Sequence, residues 1–91
     1  MHNFRRFIMT YEIRIKFEAK DGRKIDYTDK ATQIMFTTKN GYETIKYMKI
    51  GKKRFTWLSI PDEYVMKTYY ESFQVTIKRS ETGEEIYNIT M

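Results

Sequence analysis

Lys49, Lys52, Lys53 and Arg54 place four cations within six residues with no carboxylate between them, and Phe55 and Trp57 follow at once. Cations at this density release condensed counterions when set against phosphates, a gain that needs no particular base sequence. Residues i and i+2 of a strand share a face, so Phe55 and Trp57 project together beside those cations. Unpaired bases stack on such rings, each stack contributing about 1–3 kcal/mol in single-strand binders. Without a ligand in mind, the same residues read as a solvated tip that resists edge pairing and two core anchors. Exposure of Trp57, the one tryptophan, decides between a stacking platform and a purely electrostatic tip.

Two further groups have binding chemistry. Arg14, Lys16, Arg23 and Lys24 extend the basic track over an earlier stretch of the chain. Tyr64, Tyr69 and Tyr70 stand among Asp62, Glu63 and Glu71 and form a candidate protein-facing patch, since tyrosine is a residue that interface hot spots prefer. The alternative for these tyrosines is ring-packing at the end of a small barrel, with hydroxyls in water.

Catalytic constellations are missing from the sequence. The one histidine is His2, near the terminus, and there is no cysteine, so neither a Ser-His-Asp nor a Cys-His arrangement can be assembled on a rigid element. Asp62/Glu63 and Glu84/Glu85 are adjacent pairs, and adjacent carboxylates on a strand point to opposite faces. Gly51-Lys52-Lys53 lacks the spacing of a phosphate-binding loop. The expectation is a non-enzymatic protein with no cofactor and no metal.

A chain of 91 residues is sized for one domain. Its formal charge is +5, with 14 Lys/Arg against 6 Asp/Glu in residues 1–60 and 3 against 6 in residues 61–91. Nucleic acid or an acidic protein surface are the partners this balance favours. Charges interrupt every apolar run well before the roughly 20 residues a membrane helix needs, so no membrane partner is expected. The start, Met1 to Ile8, has a basic segment without the apolar run of a secretion signal. Residues 1–9 read as a flexible basic extension, Met9 offers a second start, and 10–91 reads as a single β-rich domain in the cytoplasm.

The elements that must position these residues are mainly strands. Tyr11, Ile13, Ile15, Phe17 and Ala19 alternate with Glu12, Arg14, Lys16 and Glu18, the period of a half-buried strand. Asp21-Gly22 predicts a hairpin turn into a short strand over 24–28, Asp29-Lys30 the next turn, and 32–38 a third strand. Asn40-Gly41, the strongest short hairpin signal, leads to a strand over 42–50, with Gly51-Lys52-Lys53 as the tip before 54–60. Strands over 72–79 and 85–91 close the chain around a turn at Gly83.

Between them, the Ser59-x-x-Asp62 pattern and Pro61 predict a short helix near 61–70, against an extended loop argued by its β-branched and aromatic residues. The fold class is mainly β (all-β or α+β): an antiparallel meander, barrel or sandwich of about six to seven strands, with that one short helix.

The leading functional expectation is a basic module that contacts nucleic acid through the hairpin tip and its aromatics. The alternative is a protein-binding inhibitor or accessory factor of a phage or other mobile element, acting on a host nucleic-acid machine. Homodimerisation through the last strand, Ile86 to Met91, is a third expectation, because an apolar edge invites pairing.

Overall fold

The computed structural model describes residues 9–91; the expected N-terminal extension, apart from Met9, lies outside the described residues. Six antiparallel strands curl into a half-barrel: β1 (Tyr11–Ala19), β2 (Lys24–Lys39), β3 (Tyr42–Lys49), β4 (Phe55–Ser59), β5 (Tyr70–Arg79) and β6 (Glu85–Thr90). One short helix, α1 (Glu63–Tyr69), connects β4 to β5. The strand order is β4-β3-β2-β1-β5-β6, so the first four form a meander and α1 carries the chain across to the far side of β1.

β2 organises the curl. Its first half, Lys24 to Ala31, pairs with β1, and its second half, from Ala31 to Lys39, pairs with β3. The register shifts between Ala31 and Gln33, so Thr32 is an extra residue. Such a bulge bends a strand and lets it pass from one sheet direction to another. It also reverses the pleat: Ala31 faces inward before it and Ile34 after it, with Phe36 in phase with Ile34 but half exposed at the open end of the curl. The expected turn at Asp29-Lys30 is therefore corrected to an uninterrupted 16-residue strand that changes partner there.

The inner faces of the two halves close on each other. Ile13, Ile15, Phe73, Val75 and Ile77 from β1 and β5 meet Ile45 and Tyr47 from β3, all at most 4% exposed. Phe36 on β2 stacks obliquely on Tyr87 of β6, with centroids 5.4 Å apart, which ties the edge strand β6 to the second half of β2 across the curl. Burying each large aliphatic or aromatic side chain contributes about 1.5–3 kcal/mol, so this interior supplies most of the folding drive.

Helix α1 starts where Asp62 accepts a hydrogen bond from the Val65 N–H, at 2.8 Å. Asp62 is itself the N-cap, which moves the start three residues beyond the Ser59 cap that the sequence pattern implies. Met66 is the residue of α1 that enters the core. With only one buried residue, the helix acts as a lid on the end of the half-barrel, where Met66 and Ile60 seal the interior.

Candidate nucleic-acid interface

The β3–β4 hairpin and the second half of β2 form one outward-facing surface. Cross-strand pairing puts Met35, Lys46 and Trp57 in one row and Gln33, Met48 and Phe55 in the next. These are the positions opposite in phase to the buried Ile45 and Tyr47, so a strand whose inner face is packed presents an outer face that is also apolar. Trp57 is 44% exposed, which makes it a surface residue and not a core anchor. Met35 and Tyr42 on the same face are exposed as well.

Two ammonium groups lie on the indole. Lys39 Nζ is 4.4 Å from the Trp57 ring centroid and Lys46 Nζ is 4.9 Å from it, while Lys46 Nζ is also 4.3 Å from the centroid of Phe55. Each such contact at an exposed site is worth about 0.5–1 kcal/mol. Lys39 belongs to β2 and Trp57 to β4, so their side chains cross β3 above Thr44. That crossing explains why Thr44, on the outer face, is only 1% exposed; its hydroxyl donates to the Tyr42 carbonyl at 3.0 Å.

The tip beyond these rings is built on a turn in which the Lys52 N–H donates to the Lys49 carbonyl at 3.1 Å. Gly51 takes a φ of 81°, a conformation that costs a residue with a Cβ about 1–2 kcal/mol. Lys52, Lys53 and Arg54 are exposed and have no carboxylate within ion-pair distance among the described residues. Lys49 differs from its sequence neighbours. Its Nζ lies 3.6 Å from Asp29 Oδ2, and Asp29 accepts a hydrogen bond from the Tyr47 hydroxyl at 2.7 Å. Burial first, and then the bond to Asp29, hold the Tyr47 phenol far above its ordinary pKa. Lys49 therefore anchors the base of the tip to β2, and the free cations begin at Lys52.

Charge is concentrated here. Residues 39–58 carry six Lys/Arg against Glu43 alone, a formal +5 equal to the formal net charge of the whole chain. On the first hairpin the cations are matched: Arg14 to Asp26 at 2.8 Å, Arg23 to Asp21 at 2.9 Å and Lys24 to Glu18 at 3.8 Å. Their pairing raises the Arg14 pKa and lowers that of Asp26, in both cases chiefly through the shared hydrogen bond. Lys16 is exposed with no carboxylate within ion-pair distance among the described residues, but it lies opposite Asp26 in register and helps to hold that carboxyl below its ordinary pKa, so none of the four extends the track as an isolated cation.

The tyrosine patch is divided by the fold. Tyr64 and Tyr69 are 75% and 60% exposed on α1. Tyr70 instead packs edge-on to Phe17 and Phe73, at 5.1 Å from each, and leaves the patch for the core margin. β6 is an edge of the sheet, as the reading of the last strand expects, with Tyr87 turned inward to Phe36.

Sequence reasoning missed Lys39 and Lys46, the cations nearest the aromatic rings. The usable signal was the two-residue Asn40-Gly41 turn, both residues at positive φ, which pairs Lys39 with Tyr42 and hence Met35 with Lys46. Among the described residues no group of three or more His, Cys, Asp or Glu is arranged to hold a metal ion, and no helix is long and apolar enough to cross a membrane. Comparison with protein-family models, with curated proteins and with solved structures gave no match.

Proposed function

We propose that this chain is a non-enzymatic binding module whose ligand is nucleic acid, held on the β3–β4 hairpin. The observation that carries this reading is the coincidence, on the β3–β4 hairpin, of five Lys/Arg against Glu43 alone with the exposed tryptophan, Lys39 at the end of β2 adding a sixth cation beside it. Lys52, Lys53 and Arg54 supply backbone contacts that release counterions. The hydrogen-bonded ladders of β2, β3 and β4 fix the backbone beneath these side chains, so no backbone ordering is needed when a ligand docks. Titration of a fluorescently labelled oligonucleotide at low salt tests the reading: saturable binding that weakens steeply with salt supports it, and no binding at low salt defeats it.

A second reading rests on Tyr64 and Tyr69, which are displayed on α1 beside Asp62 and Glu63. Exposed tyrosines of this kind suit a protein-directed factor of a mobile element, an inhibitor that engages a host protein through the helix. Capture from nuclease-treated host lysate separates the two, because protein partners survive digestion and nucleic-acid-bridged ones do not.

A further inference from the structure

The geometry points to single-stranded nucleic acid as the ligand of this surface, bound with two neighbouring bases unstacked from each other, one on Trp57 and one on Phe55. The inference rests on the nucleic-acid reading above and narrows it to one strand state. Phe55 and Trp57 are two residues apart on one face of β4, which sets their Cα atoms about 6.7 Å apart. Successive bases within a duplex strand rise by about 3.4 Å, half that spacing, and their faces are covered by the stack. Only a strand drawn out to about twice the stacked rise presents one base to each ring. A duplex would offer phosphates to the tip and nothing to the rings.

The lysines supply the second part of the argument. Lys39 and Lys46 bring two like charges to the same indole, 4.4 and 4.9 Å from its centroid. No carboxylate within ion-pair distance neutralises either among the described residues. Two cations beside one ring with no carboxylate at hand favour an anion near them. A phosphate linking two nucleotides is such an anion, and it necessarily lies beside the bases it joins. On binding, each flexible lysine stem swings its ammonium from ring to phosphate and vacates the ring for a base. The rings and the two lysines thus form one site, whose ligand must carry a backbone charge and an accessible base face on the same unit. The tip cations continue the backbone track beyond Phe55.

The test uses the intact protein and three probes of equal length, about 12 nucleotides, within the range such modules cover. These are a thymidylate or uridylate single strand, a duplex, and a single strand of abasic sites. The proposal expects the base-bearing strand to bind at least about 10-fold tighter than the abasic strand or the duplex at matched salt, with quenching of Trp57 emission by that strand only. Trp57→Ala is expected to lose about 5- to 150-fold on the base-bearing strand and little on the abasic one. Because the probe series needs no variant, a folding defect in Trp57→Ala leaves the test intact. Equal binding of all three probes with unchanged Trp57 emission overturns the stacking site while leaving an electrostatic nucleic-acid binder. Preference for the duplex also overturns it, and binding to none of the probes overturns both readings.

Discussion

The Lys39 ammonium, carried on β2, lies 4.4 Å from the ring centroid of Trp57 on β4, two strands away. With Lys46 on the near side at 4.9 Å, it gives an exposed indole a positively charged setting. A charged quencher reads that setting directly. Iodide is expected to quench Trp57 emission more efficiently than caesium, and the difference should shrink in a Lys39→Gln/Lys46→Gln variant. Equal quenching by the two ions would show that the ammonium groups do not dwell on the ring.

The buried Tyr47–Asp29 contact makes a prediction about stability. A hydrogen bond to a charged acceptor is worth about 1.5–3 kcal/mol, so Tyr47→Phe should cost an amount in that range in denaturant unfolding. Asp29→Asn should cost less than Asp29→Ala, because an amide oxygen can still accept from the hydroxyl.

The same contact sets an alkaline limit. The folded-state pKa of Tyr47 is raised above its ordinary value of 10.0, first by burial and then by Asp29. The neutral phenol is thus the form the fold stabilises. That stability is fully present below about pH 10 and is lost as pH rises beyond it, because the unfolded chain then gains more from ionising. Tyr87, raised by burial and by Glu43, acts in the same direction. Ultraviolet titration of the eight tyrosines should show two that ionise late, with unfolding. Ionisation of Tyr47 and Tyr87 with midpoints at the ordinary value of 10.0 in the folded protein would contradict it.

The helix cap gives a third stability prediction. Asp62→Ala should destabilise the fold by about 1 kcal/mol, while Asp62→Asn retains most of the cap. Thermal melts of both variants check this, and equal losses would show that charge near the helix start matters more than the side-chain acceptor.

Much of this architecture was legible in the residues, for identifiable reasons. Alternation in β1 and β5 and the Asn40-Gly41 turn are local signals, and the inward faces they imply are those found buried. Ile45 and Tyr47 lie on the face opposite Met48, as a pleat with a period of two requires. What failed was non-local. Asp29-Lys30 resembles a turn locally, whereas the strand runs on and changes partner at the Thr32 bulge, and pairing partners are not written in a strand's own residues. The pairing of Lys49 with Asp29, 20 residues away in sequence, was hidden for the same reason. So were the two lysines over Trp57, which arrive from neighbouring strands. Tyr70 was misplaced because its ring joins Phe17 and Phe73, a contact made only when β1 and β5 pair.

The claim that the β3–β4 hairpin is a nucleic-acid surface is tested most directly by the slope of log affinity against log salt for a single-stranded oligonucleotide. The measurement compares the natural protein with a Lys52→Gln/Lys53→Gln/Arg54→Gln variant. Each phosphate contact on a single strand contributes about 0.7 to that slope, so loss of three should flatten it by about 2. Neutralising Arg14, Arg23 and Lys24, already paired with carboxylates, should leave it nearly unchanged. A slope unaffected by the tip variant, or flattened by the first-hairpin variant instead, would contradict the account.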